Sequence, residues 1–119
     1  MAAELTALMQ RLSSEVQGVQ GALVLGPDGS VLAQAWRQEP VWAGAAAEAC
    51  AALVAQIAHL AVEGGLGAPR RLSLHGERGQ LMVARTTGGL TVGVVAGLAA
   101  LGGQVRRHLD EVLSCLERA

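Results

Sequence analysis

The chain contains no lysine, no phenylalanine and no tyrosine, and its only two tryptophans, Trp36 and Trp42, fall in one short segment. All nine basic residues are therefore arginine. Phosphate-loop NTPases and Schiff-base enzymes need a lysine amine at the reacting centre, so both classes are excluded. With so few aromatic rings, a platform for stacking nucleic-acid bases is hard to build. Nine basic residues against ten acidic ones leave a net charge of -1, and no basic run exceeds the pairs Arg70-Arg71 and Arg106-Arg107. A line of phosphates could not be neutralised, and nucleic acid is not an expected partner. Cysteine is also scarce. Cys50 and Cys115 lie far apart with no Cys-x-x-Cys spacing, and both read as small buried hydrophobes. The start of the chain shows Glu4 and an amphipathic pattern instead of a charged-then-apolar targeting segment. Residues 41 to 62 are apolar, but Glu48, Gln56, His59 and much alanine make them a poor lipid span. The expected location is the cytoplasm, without membrane insertion.

What the chain does contain fits one domain over residues 1–119, long enough to bury its own core. Leu5, Leu8, Met9, Leu12 and Val16 recur at helical spacing over residues 4 to 17, and Gly18 ends that helix. The apolar run Ala22 to Leu25, the turn Gly26-Pro27-Asp28-Gly29 and the alternating segment Ser30 to Trp36 predict a hairpin. Arg37 to Pro40 leads into a long helix, Ala43 to Glu63, which the Gly-rich segment from Gly64 to Pro69 terminates. Arg71 to His75, Gln80 to Thr86 and Leu90 to Ala96 predict three more strands, the last two joined at Gly88-Gly89. Val105, Leu109, Val112, Leu113 and Leu116 mark a final helix from about Gly102 to Arg118. The order α-β-β-α-β-β-β-α describes an α+β fold. A five-stranded antiparallel sheet lies between one long helix on one face and two helices on the other.

Catalytic patterns are missing. His59, His75 and His108 fall on different elements without metal-ligand spacing, and no serine has the Gly-x-Ser-x-Gly setting of a strained nucleophile. Gly64-Gly65-Leu66-Gly67 follows a helix and precedes a strand, the reverse of a dinucleotide fingerprint. No metal, no cofactor and no enzymatic activity are expected.

The long helix carries two stripes. Leu53, Ile57 and Leu60, with Ala46 and Cys50, supply the bulk expected to cover its own core. Opposite them Ala45, Glu48, Ala52, Ala55, His59 and Val62 recur at alternating intervals of three and four, the seam spacing of paired helices. The second stripe is symmetric about its centre. An antiparallel two-fold pair would set Ala52 against Ala55, Glu48 against His59 and Ala45 against Val62 of the other chain, which predicts a dimerisation helix.

Gly21 to Ala33 in the first hairpin, Leu90-Thr91-Val92-Gly93-Val94-Val95, and Leu101-Gly102-Gly103-Gln104-Val105-Arg106 at the last helix together resemble the roadblock (dynein light chain) domain family. The resemblance covers nearly the whole chain and extends to stand-alone prokaryotic members. It implies a roadblock/profilin-like fold and a non-enzymatic homodimer that serves Ras-like small GTPases as a platform. It also implies that the strand Arg71, Leu72, Ser73, Leu74, His75 lies at the sheet edge, where Arg71, Ser73 and His75 would join the dimer interface with its two-fold mate. Trp36, Arg37 and Trp42 form a short aromatic and cationic segment suited to contacting the GTPase, the alternative being that both rings seal the core. A small-molecule sensor is the second functional class, since related sandwiches enclose ligands. It would need a cavity with converging polar groups, whereas the inward strand positions read as Leu, Val, Met and Ala.

Overall fold

The computed structural model describes residues 2–37, 43–77, 79–97 and 102–118. Its elements are α1 (Ala2–Glu15), β1 (Val19–Leu25), β2 (Val31–Trp36), α2 (Ala43–Glu63), β3 (Arg71–His75), β4 (Gly79–Arg85), β5 (Thr91–Gly97) and α3 (Gly102–Arg118). The five strands form one antiparallel sheet in the order β2-β1-β5-β4-β3, with β2 and β3 at its edges. The expected order and fold class are both present. β1 starts three residues earlier than the apolar run suggests, because Val19 already pairs with Ala96 of β5.

Side chains alternate across the sheet, so each strand feeds two cores. On one face Leu5, Met9, Leu12 and Val16 of α1 and Val105, Leu109, Val112 and Leu116 of α3 pack on Ala22, Val24, Met82, Val92 and Val94. On the other face α2 contributes Ala47, Cys50 and Val54 to a smaller cluster with Leu23, Leu25 and Val83.

Two hairpin turns share one construction. Gly26 N–H donates to Ser30 O and Gly29 N–H to Gly26 O, with Gly29 at φ 85°. Thr86 N–H donates to Leu90 O and Gly89 N–H to Thr86 O, with Gly89 at φ 91°. In each, glycine supplies the left-handed residue that closes the loop. The end of α2 uses the same freedom. Gly65 N–H bonds Val62 O and Leu66 N–H bonds Ala61 O, a Schellman stop with Gly65 in the left-handed position.

Trp36 lies across the sheet from Gly21 and packs on the α2-side cluster. A Cβ at Gly21 would enter the volume of the Trp36 ring. Gly21→Ala is expected to lower stability by about 1–3 kcal/mol through overpacking, read by chemical denaturation. An unchanged midpoint would mean that the ring does not rest on Gly21.

Candidate interaction surface

The core-facing side of α2 is not the one its bulky residues suggest. Ala47, Cys50, Val54 and Ala61 are buried, Leu53 and Ile57 are half-buried, and Leu60 is 65% exposed. Small residues face inward because α2 sits close to the sheet. Cys50 Sγ would lie 3.5 Å from a Cβ added at Gly93 of β5. The long aliphatic side chains are consequently displaced to the flanks. The reading of both cysteines as buried also needs correction: Cys50 is buried, which raises its thiol pKa by desolvation, but Cys115 is exposed on α3.

The two flanks of α2 have different neighbours. Ala51, Ala55 and Ala58 line a cleft with the β1–β2 turn, whereas Ala45 and Ala49 line an apolar groove of about 490 Å³ with Leu74 and Leu81 of β3 and β4. Continuing the second flank at helical spacing brings Leu53, Ile57 and Leu60 to the β3 side. Of the exposed large hydrophobic residues, Leu60, Leu66 (83%) and Leu74 (57%) belong to α2, the following loop and β3.

The edge strand continues this surface. Arg85 N–H donates to Arg70 O and Gly76 N–H to Gly79 O, which fixes the phase of the β3–β4 ladder. The inward-bonded positions of that stretch are therefore 70, 72, 74 and 76. Arg71, Ser73 and His75 direct their peptide groups to the open side, and all three are exposed. Arg71 also forms an ion pair with Asp110 of α3.

The stripe Ala45, Glu48, Ala52, Ala55, His59 and Val62 is exposed along its whole length. It winds over the outer ridge of α2, from Ala45 on the β3 side to Ala55 on the side of the β1–β2 turn. His59 Nε2 lies 3.1 Å from Glu63 Oε1 of its own helix, so the expected Glu48 contact would have to displace that neighbour. The periodicity of α2 identified two stripes and assigned the leucine stripe to the core, but which residues face the sheet depends on how the helix lies on it.

Trp36 and Arg37 are engaged within the chain. The Trp36 indole N–H donates to Gln34 Oε1 at 3.1 Å, and the ring covers Gly21. Arg37 Nε donates to Ser13 O at 2.8 Å and Nη2 to Val16 O at 3.4 Å, where the carbonyls at the end of α1 favour a cation. Trp42 lies outside the described residues. Among the described residues no group of His, Cys, Asp and Glu could hold a metal ion, and no helix is long and apolar enough to cross a membrane.

Residues 5–96 match the Roadblock/LC7 domain. Myxococcus xanthus MglB superposes with a TM-score of 0.89 at 16% identity, covering 98% of this chain and 87% of its own. The gliding protein MglB of Thermus thermophilus gives 0.83 at 25% identity, covering 98% and 86%. An MglB with a tetrameric arrangement gives 0.88 at 22% identity, covering 98% and 88%. No curated protein sequence matches the chain.

Proposed function

Because the chain belongs to the Roadblock/LC7 domain family, and because its β3 edge and the adjoining flank of α2 are open, we propose that it acts as a homodimeric platform that binds and regulates a Ras-like small GTPase of the MglA type in the cytoplasm, without chemistry of its own. The observation that carries this reading is the continuity of an edge strand with an apolar helix flank. Arg71, Ser73 and His75 offer unpaired peptide groups beside exposed Leu60 and Leu74. An open edge of this kind pairs most simply with its own two-fold copy. The apolar flank gains from being removed from water in the same contact. Self-association of an MglB in a tetrameric arrangement supports the same direction.

The outer ridge of α2, with Glu48, Ala52, Ala55, His59 and Val62, stays open in such a dimer and forms the platform for the GTPase. The segment with Trp36, Arg37 and Trp42, which precedes α2 in the chain, is proposed as a further GTPase contact. The absence of lysine and of a nucleophile–base pattern supports a regulator over a hydrolase.

The test is gel filtration of the protein with an MglA-type GTPase loaded with a non-hydrolysable GTP analogue or with GDP. Co-elution that depends on the nucleotide is expected, together with no phosphate release when the protein alone is given GTP. Failure to bind in either nucleotide state, or GTP turnover by the isolated protein that survives further purification, removes the reading.

A further inference from the structure

On the flank of α2 away from β3, a cleft of about 380 Å³ opens between Ala51, Ala55 and Ala58, the β1–β2 turn and the start of β5. That volume lies within the range of small-molecule sites, about 300–1,000 Å³. Small residues keep it open: a Cβ at Gly29 would already stand 3.5 Å from the Ala51 Cβ. Arg85 forms part of its wall. It follows Leu81 and Val83 at two-residue spacing, so its side chain leaves β4 on the face that α2 covers.

Arg85 is the informative residue. Its Nε is buried and has no hydrogen-bond acceptor among the described residues. A buried guanidinium N–H without an acceptor is costly, and the natural complement of the guanidinium fork is a planar oxyanion. Thr91, the cross-strand neighbour of Arg85, is itself buried and lines the same cleft. The remaining wall is largely apolar, with Leu25, Val54 and the alanines of α2. Exposed Asp28 of the β1–β2 turn also lines the cleft, and its carboxyl is held below its ordinary value of 3.8 by hydrogen bonds from the Ser30 hydroxyl and N–H. It is ionised at neutral pH and opposes a second negative charge on any occupant.

We propose that this cleft binds a small monocarboxylate with a short apolar tail. The carboxylate meets the Arg85 guanidinium and the Thr91 hydroxyl, and the tail lies against Val54, Ala55 and Ala58. One guanidinium in a cleft that the carboxylate of Asp28 also lines suits a monoanion over a phosphate or dicarboxylate, and the apolar wall suits a tail over a second polar end. The site uses no residue of the β3 edge, so it stands whether or not the dimer is as proposed above, and it shares only Ala55 with the proposed GTPase platform.

The experiment is a titration of the 15N-labelled protein with hexanoate, followed by amide spectra. Saturable shifts at Gly26, Gly29, Ala55, Ala58 and Gly89 are expected. Neutral hexanamide, which keeps the tail, should bind at least about tenfold more weakly, as should hexanoate to Arg85→Met, because each loses a charge-assisted pair. Ala58→Leu, which fills the tail space and leaves Arg85 in place, should also abolish the shifts. Three results overturn the proposal: no saturable shifts with butyrate, hexanoate, octanoate or isovalerate at millimolar concentrations, equal binding of the amide and the acid, or undiminished binding to a folded Arg85→Met. Tighter binding of succinate than of hexanoate would likewise overturn the assignment of a monoanion.

Discussion

A Leu60→Arg variant is expected to elute as a monomer on light scattering while keeping the circular dichroism of the folded domain. Leu60 is 65% exposed within one protomer, so arginine costs little packing there. Against a two-fold partner the same arginine would be removed from water without a counter-charge, a penalty of about 3–5 kcal/mol, or several hundredfold in the dimer constant. Ser73→Pro should act in the same direction by a different route. The phase of the β3–β4 ladder turns the Ser73 N–H outward. Proline there spares the protomer's own sheet and removes a donor that only a partner strand would use. Ala52→Arg lies on the outer ridge and should leave the dimer intact while weakening GTPase binding. A dimer that survives Leu60→Arg but not Ala52→Arg would put the seam on the stripe from Ala45 to Val62. Survival of the dimer in both Leu60→Arg and Ser73→Pro would remove β3 and its neighbouring flank from the interface.

The second large effect is on stability. Leu23 is fully buried under α2 in a cluster with Leu25, Val83, Ala47, Cys50 and Val54, against which Trp36, Leu72 and Leu81 pack partly buried. Leu23→Ala should cost about 2–5 kcal/mol, because the surrounding packing relaxes only in part into the space left behind. The loss should also be uneven. α1 and α3 share the larger cluster on the opposite face, so hydrogen exchange should accelerate in α2 well before it does in those helices. A loss under about 1 kcal/mol, or equal acceleration in all three helices, would show that α2 is not held chiefly through this cluster.

Much of the architecture is legible in the residues because it rests on local rules. Gly26-Pro27-Asp28-Gly29 specifies its hairpin through a proline-compatible turn and a glycine at φ 85°. Gly65 stops α2 where the apolar period ends. Alternation and helical spacing then give the order of elements, and the resemblance to roadblock domains gives the sheet edge. The site was less legible. The spacing of α2 distinguishes its stripes but not which one meets the sheet, and hydrophobic bulk was a poor guide because Ala47, Cys50, Val54 and Ala61 fill its buried face. Arg37 shows the same limit. In the sequence it is a loop cation beside two tryptophans, and only the return of β2 alongside α1 brings its guanidinium to the carbonyls of Ser13 and Val16. Arg85 reads as an ordinary strand residue until α2 closes over it and leaves its Nε without an acceptor. By itself, then, the sequence determined the elements and their order, since both depend on residue type and short spacing. The tertiary structure decided which flank of α2 adjoins the open edge and which arginine has a buried Nε without an acceptor, because both depend on contacts between residues distant in the chain.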